Sequence, residues 1–217
     1  MVGRARDLLD TPASAEAAAW EPTVRFLHCE DTAVVLGSTQ RESDIDSVAA
    51  KAAGIEILRR RSGGGAVLVG PGLVFWADVI VPAGDLLWTA DIGKAFWWLG
   101  DLWAATLAAA GMTGAQVWRG ALVRTRWSDR ICFAGLGPGE VTMGGAKVVG
   151  LSQRRTRAGA HFQCAVAVTW RPGDLLALLA LDEDTRAGGA TELAPAAMGV
   201  GPGVAAQLIP LFVDRLP

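Results

Sequence analysis

Short apolar runs punctuated by glycine and proline dominate this chain, and clean helical periodicity is confined to one long stretch. Val24 to Leu27, Ala33 to Leu36, Ile55 to Arg59, Ala66 to Val69, Val74 to Val81, Gln116 to Trp118, Arg130 to Ala134 and Phe162 to Trp170 read as strands. Glu140 to Met143 and Lys147 to Leu151 read as a hairpin turning at Gly144-Gly145. Asp91 to Ala110 reads as a helix that Gly111 stops. Its Ile92, Ala95, Phe96, Leu99, Leu102, Trp103, Thr106 and Leu107 recur at three- and four-residue steps. Further helices are expected from a Ser43 cap to about Ala53, over Gly173 to Ala180 and over Gly203 to Leu216. Strands are in excess and no strand–helix crossover repeats. The predicted class is α+β, a mixed, mostly antiparallel β-sheet flanked by helices. No linker divides the chain, so residues 23–217 are expected to form a single domain behind a flexible N-terminal arm, residues 1–22, with room for one short helix.

Composition narrows the function. The 217 residues are 51% hydrophobic and 19% charged, with 20 basic against 22 acidic side chains, which excludes a highly charged disordered chain. The absence of a strong positive field argues against a nucleic-acid partner. No apolar run reaches the roughly 18 residues that span a bilayer, so no membrane partner is expected. Met1 to Trp20 is acidic and Ala-rich, not a basic region followed by an apolar one, and does not read as a secretory signal. Three cysteines, Cys29, Cys132 and Cys164, do not pair up and suggest a reducing, cytoplasmic setting. The two histidines, His28 and His161, read as edge-of-strand polar residues and speak against a His-rich zinc site. Asp182-Glu183-Asp184 reads as an exposed acidic turn, and Trp97, Trp98 and Trp103 as packing residues on or beside the long helix.

Chemistry concentrates in two stretches. The first is Arg60-Arg61-Ser62-Gly63-Gly64-Gly65-Ala66-Val67. Three glycines between strands let a ligand approach the main chain, and exposed amides can surround an anion. Adjacent arginines add forked donors for phosphate or carboxylate. The plain alternative is a hairpin turn beside a solvated basic run. No Gly-Lys-Ser/Thr follows, so this is not a Walker loop, and no helix follows as a dinucleotide fingerprint requires. The second stretch runs from Gly144 through Lys147, Gly150, Ser152 and Gln153 to Arg155. Lys147, in an apolar strand between glycines, must reach water or an anionic partner, because burying a bare ammonium is costly. An edge-strand lysine guarding against aggregation is the plain alternative.

Together the two stretches resemble the lipoate-protein ligase A-like family, within the superfamily of biotin/lipoate protein ligases and octanoyltransferases. Arg60 to Val67 matches its Arg-Arg-x-Ser/Thr-Gly-Gly-Gly-Ala-Val segment, and Gly145 to Gln153 its Gly-x-Lys-hydrophobic-x-Gly-x-Ala/Ser-Gln motif. Val34 to Gln40 looks like the opening strand and loop, and the resemblance covers about Val24 to Arg171. It implies the biotin/lipoyl protein ligase catalytic-domain fold and acyl attachment to a lysine of lipoyl domains through an acyl-adenylate. Lipoate or octanoate would be the substrate, with ATP and Mg2+. Lys147 would be catalytic, and Arg60, Arg61, Ser62, Gly63, Gly64, Gly65, Ala66, Val67, Gly150, Ser152, Gln153 and Gln163 would bind substrate or nucleotide. Acceptors would be acyltransferase subunits of 2-oxoacid dehydrogenases and the glycine cleavage H protein. A separate accessory subunit can complete such ligases.

Cys132-Phe133-Ala134 followed by Glu140 resembles the Cys-Phe-x-x-Pro-Ser-x-Tyr-Glu pattern of cysteine octanoyltransferases and amidotransferases. That resemblance implies an alternative: ATP-independent transfer with Cys132 as the acyl-thioester nucleophile and no cofactor. Where the family has His, Asp and Asn, this chain has Val69, Gly70, Leu73 and Phe75, and the usual Gln-His-Gly reads Gln163-Cys164-Ala165. These departures keep a third reading open, a non-catalytic ligand-binding relative. A biotin-protein ligase fits less well, because its Gly-Arg-Gly-Arg loop is missing.

Overall fold

A computed structural model describes residues 1–10 and 21–217. Among the described residues the strands are β1 (Val2–Gly3), β2 (Thr23–Cys29), β3 (Ala33–Leu36), β4 (Glu56–Arg59), β5 (Val67–Val69), β6 (Val74–Pro82), β7 (Ala115–Val117), β8 (Val141–Met143), β9 (Ala146–Thr156) and β10 (Gly159–Ala167). The helices are α1 (Ala5–Asp10), α2 (Ser47–Ala52), α3 (Trp97–Ala109), α4 (Pro172–Leu176), α5 (Glu183–Leu193), α6 (Pro202–Ala205) and α7 (Leu208–Val213). A seven-stranded sheet runs β1-β2-β6-β10-β9-β8-β7, and a three-stranded sheet runs β4-β3-β5. Pairing is antiparallel except for β1 with β2 and β3 with β4, so the expected mixed, mostly antiparallel α+β class is what forms.

Strand periodicity explains the layering. Successive residues of a strand face opposite sides of the sheet. Ala77, Val79 and Val81 of β6 and Phe162, Cys164 and Val166 of β10 turn toward α3 and α7, where they pack with Leu99, Trp103, Leu107 and Phe212. Burying side chains of this size contributes about 1.5–3 kcal/mol each. On the opposite side, Trp76 and Leu27 pack with Val35, Leu58 and Val69 of the small sheet and with Ala5 and Leu8 of α1. The space between the two sheets is where the site lies.

Several local expectations change. Arg130 to Ala134 is not a strand: Cys132–Ala134 forms a 3-10 turn, and Ile131 makes only a single bridge to Ala66. The turn is held by Ala66 N donating to Arg130 O (2.8 Å) and Cys132 N to Ala66 O (2.9 Å). The helix expected from Ser43 is a short 3-10 turn, Glu42–Asp44, followed by α2. Its cap is Asp46, whose carboxylate accepts from Val48 N (3.0 Å) and Ala49 N (2.9 Å), satisfying two amides that the helix leaves open. The long helix begins at Trp97 after a 3-10 turn, leaving Ile92 exposed. Asp182 to Asp184 is not a free turn, because Asp182 caps α5 and the two following acids sit in its positive first turn. His161 lies in β10, an interior strand, with Nε2 2.9 Å from Asp78 Oδ2.

Residues 1–10 of the expected arm take regular structure. Strand β1 pairs with β2, and Ala5 and Leu8 are buried. The rest of the expected arm, residues 11–20, lies outside the described residues.

Candidate active site

The glycine loop between β4 and β5, the 3-10 turn at Cys132 and the first half of β9 meet at one place. They enclose an open cavity of about 610 Å³, lined by Gly63, Gly64, Gly65, Cys132, Lys147, Ser152 and Gln153 among others. A second, narrower cavity of about 40 Å³ runs from it between the sheets. The two share Cys132, Leu151 and Ser152. The narrow slot is otherwise mainly apolar, walled by Val35, Val67, Val69, Val74 and Trp76. A wide chamber with charged and polar side chains on its wall thus adjoins an apolar slot, and the 3-10 turn stands at the junction.

Lys147 sits on the wall of the chamber, only 3% exposed. Its ammonium donates to Cys132 O (2.9 Å) and Gly135 O (3.0 Å) and pairs with Glu140 Oε1 at 2.7 Å. Three donors therefore meet three acceptors. It also lies 5.3 Å from the Phe133 ring centroid. Glu140, equally buried, accepts from Leu151 N (3.0 Å) through Oε1 and from Gly137 N (2.6 Å) through Oε2. A buried ion pair survives only when its remaining lone pairs and protons are satisfied, and here they are. Gly150 makes room: a Cβ there would lie 3.2 Å from Lys147 Cε and 3.6 Å from its Nζ.

Arg60 lines the slot and also braces the loop. Its guanidinium is buried and turned into the protein, donating to Val35 O (3.2 Å), Gly63 O (2.8 Å) and Gly65 O (2.8 Å). Burial pushes its pKa down, and the nearby Cys132 thiol opposes that shift. Arg60 is thus the strut that folds the glycine loop. The loop amides of Gly63, Gly64 and Gly65 take no partner among the described residues. Gly65 must be glycine, because a Cβ would come within 2.5 Å of Ile131 N.

Ser62 is buried and ties three elements together. Its hydroxyl donates to Gln163 Oε1 (2.7 Å) and lies 3.0 Å from Ser152 Oγ. Gln40 anchors the neighbouring loop, accepting from Gly37 N (2.9 Å) and donating to Asp129 O and Arg130 O (3.2 Å each). Gly150, Ser152, Gln163 and Val67 all line the slot. Gln153 lines the chamber, and its amide donates to Ile92 O at 3.4 Å. Arg61 is exposed and lines neither space, and Ala66 lines a separate small cavity behind the turn.

Two residues of the site carry weight that their sequence positions do not reveal. Glu140 was visible only as the acid after Cys-Phe, and nothing local shows that it meets Lys147. Leu9 of α1 lines the slot, which no local pattern signals.

The three thiols separate by environment. Burial pushes Cys29 up to about 11, with Asp31 adding to the shift. Burial pushes Cys164 up to about 12, with the Asp78 carboxylate adding to the shift. Cys132 alone is partly exposed, at the junction. Among the described residues no cluster of three or more His, Cys, Asp or Glu side chains can hold a metal ion, and no helix is long and apolar enough to cross a membrane.

The chain resembles several solved structures in fold. It superposes on a bi-partite lipoate protein ligase from the archaeon Thermoplasma acidophilum, solved in a study of that ligase and its E2 lipoyl domain. The TM-score is 0.70 at 19% identity, covering 97% of this chain and 75% of that one. Lipoate-protein ligase A bound with ATP gives a TM-score of 0.63 at 20% identity, covering 90% and 72%. P. falciparum LipL1 in complex with lipoate gives 0.59 at 16%, covering 96% and 54%. No curated protein sequence matches the chain. Residues 11–199 match the family model of the lipoyl protein ligase A/B catalytic domain. The chain therefore belongs to the lipoyl protein ligase A/B catalytic domain family, enzymes of the ligase and acyltransferase kind.

Proposed function

We propose that this protein attaches lipoate or octanoate to a lysine of lipoyl domains, through an acyl-adenylate made from ATP. The observation that carries this reading is the junction: a chamber and an apolar slot open onto each other beside the Lys147 ammonium. The slot suits a saturated acyl chain, which leaves water for apolar walls. The chain's carboxyl end would then stand at the junction. The unpartnered amides of Gly63 to Gly65 suit an anion in the chamber. The chamber wall also carries Asp44 and Asp129, the latter paired with Arg124, so Mg2+ would arrive with the nucleotide phosphates and be held chiefly by them.

Adenylation and aminolysis both gather negative charge on an acyl oxygen. A fixed cation beside that oxygen lowers both barriers. Lys147 offers such a charge once one of its main-chain acceptors, Cys132 O or Gly135 O, gives way to substrate. Glu140 keeps the ammonium in place during that exchange. The attacking amine comes from the acceptor domain. Lipoyl domains as acceptors are supported by the T. acidophilum ligase and its E2 lipoyl domain.

A second reading has its own observation. Cys132 lines both spaces, so its thiol can meet an acyl carbonyl at the junction and carry the chain as a thioester without ATP. The first half-reaction separates the two. Under the ligase reading, lipoate or octanoate drives exchange of labelled pyrophosphate into ATP, and the protein gains no stable mass. Under the thioester reading, exchange is absent. An octanoyl thioester donor then leaves an adduct on Cys132 that survives denaturation and vanishes with hydroxylamine. Neither exchange nor adduct would overturn both.

A further inference from the structure

The N-terminal ten residues are built into the site. Met1 N donates to Phe26 O (2.7 Å), His28 N to Met1 O (2.9 Å) and Glu30 N to Gly3 O (3.0 Å). Ala5 N donates to Asp31 Oδ1 at 2.7 Å, Arg4 pairs with the same carboxylate, and Arg6 pairs with Glu56. Ala5 and Leu8 are buried against both sheets. This docking delivers Leu9 to the slot. The mouth of the slot is what it shares with the chamber: Cys132, Leu151 and Ser152. Leu9 packs in one cluster with Val74 and Trp76 of β6, and β6 lies across β10 from β9, on the side of the slot away from Leu151 and Ser152. Val74 and Trp76 are fixed in β6, which is paired along both edges. Leu9 stands on a six-residue helix and is only partly buried.

We propose that Leu9 sets the length of the acyl chain the enzyme accepts, by closing the far end of the slot. The inference rests on the reading of the slot as the acyl site. A chain that reaches Leu9 fills the available length, and a longer one must displace the leucine and α1 from a docked position. Each methylene added before that limit gains roughly fourfold in affinity. Beyond it the chain overpacks, and affinity falls.

The test is calorimetric binding of straight-chain fatty acids, from hexanoate to tetradecanoate, to the full chain and three variants. Leu9→Ala is expected to move the preferred length up by about two methylenes, roughly the depth of the removed side chain. Leu9→Phe moves it down. Val48→Ala, at an exposed position that lines neither space, leaves it unchanged. Opposite shifts from the two Leu9 variants cannot arise from loosening alone. If both Leu9 variants keep the wild-type limit, if Val48→Ala shifts it equally, or if no fatty acid binds, the inference is overturned. Octanoyl transfer to an apo lipoyl domain is measured in parallel. Transfer with an unmoved limit overturns the inference and leaves the enzyme reading standing. A moving limit without transfer supports the inference and removes the enzyme reading.

Discussion

The ammonium of Lys147 and the carboxylate of Glu140 form a buried ion pair at 2.7 Å, with side chains 4% and 6% exposed. The pair spans the hairpin from the residue before β8 to the second residue of β9. It also holds the turn carrying Cys132, because Lys147 bonds Cys132 O and Gly135 O while Glu140 bonds Gly137 N. Removing one partner leaves a buried charge uncompensated, at about 3–5 kcal/mol. Glu140→Ala is therefore expected to lower unfolding stability by that amount in urea titration. Lys147→Met combined with Glu140→Leu should cost less than the sum of the singles, because neither charge is stranded. Additive losses would contradict the pairing.

Gly150→Ala separates geometry from stability. The new methyl meets the flexible Lys147 side chain at 3.2 Å rather than backbone. The fold should lose about 1 kcal/mol or less, while the displaced ammonium slows acyl transfer by about tenfold or more. Gly65→Ala differs, since its methyl lands 2.5 Å from Ile131 N. It is expected to cost about 1–3 kcal/mol and to disorder the loop. Thermal melts and transfer rates on the two variants check both.

Arg60→Lys tests the strut. A lysine keeps the charge and loses the fork that reaches Val35 O, Gly63 O and Gly65 O together. Hydrogen exchange at Ser38 and Ala66, whose amides bond at the two ends of the loop, should accelerate, and acyl transfer should fall even with saturating substrate. Arg61→Lys, at an exposed position outside both spaces, should change neither. Equal effects at the two positions would show that Arg60 acts as a surface charge.

The thiols predict a pH response. In the folded protein Cys29 is raised to about 11 and Cys164 to about 12, both from 9.0. An acid whose pKa is raised by folding binds its proton more tightly in the native state. The stabilisation is complete below pH 9 and is lost as pH rises from there toward 11 and 12. At mild alkaline pH iodoacetamide should label one cysteine, Cys132, in the native protein and three after denaturation. Native labelling of Cys29 or Cys164 would contradict the burial.

Much of the fold follows from local pattern. β3 is a four-residue apolar run bounded by turn residues and β6 a long one, whereas β9 runs on past Leu151 through polar Ser152 to Thr156, where the apolar pattern stops. Arg130 to Ala134 mimics such a run, yet its carbonyls serve Lys147 and Ala66 instead of a ladder. In the site, the glycine loop and Lys147 stand out by composition. Arg60 and Arg61 are indistinguishable in sequence, and only the continuing alternation of β4 turns one inward and the other out. Leu9 depends on pairing between β1 and β2 across a long separation, which no window along the chain contains.

The most direct test of the account is the intact mass of an apo lipoyl domain incubated with this protein, lipoate and Mg-ATP, beside a folded Lys147→Met variant. The account predicts a lipoyl-sized gain with the wild type, slowed by about a hundredfold or more in the variant. No gain from lipoate with ATP or from an octanoyl thioester, or an equal gain with the variant, would contradict it.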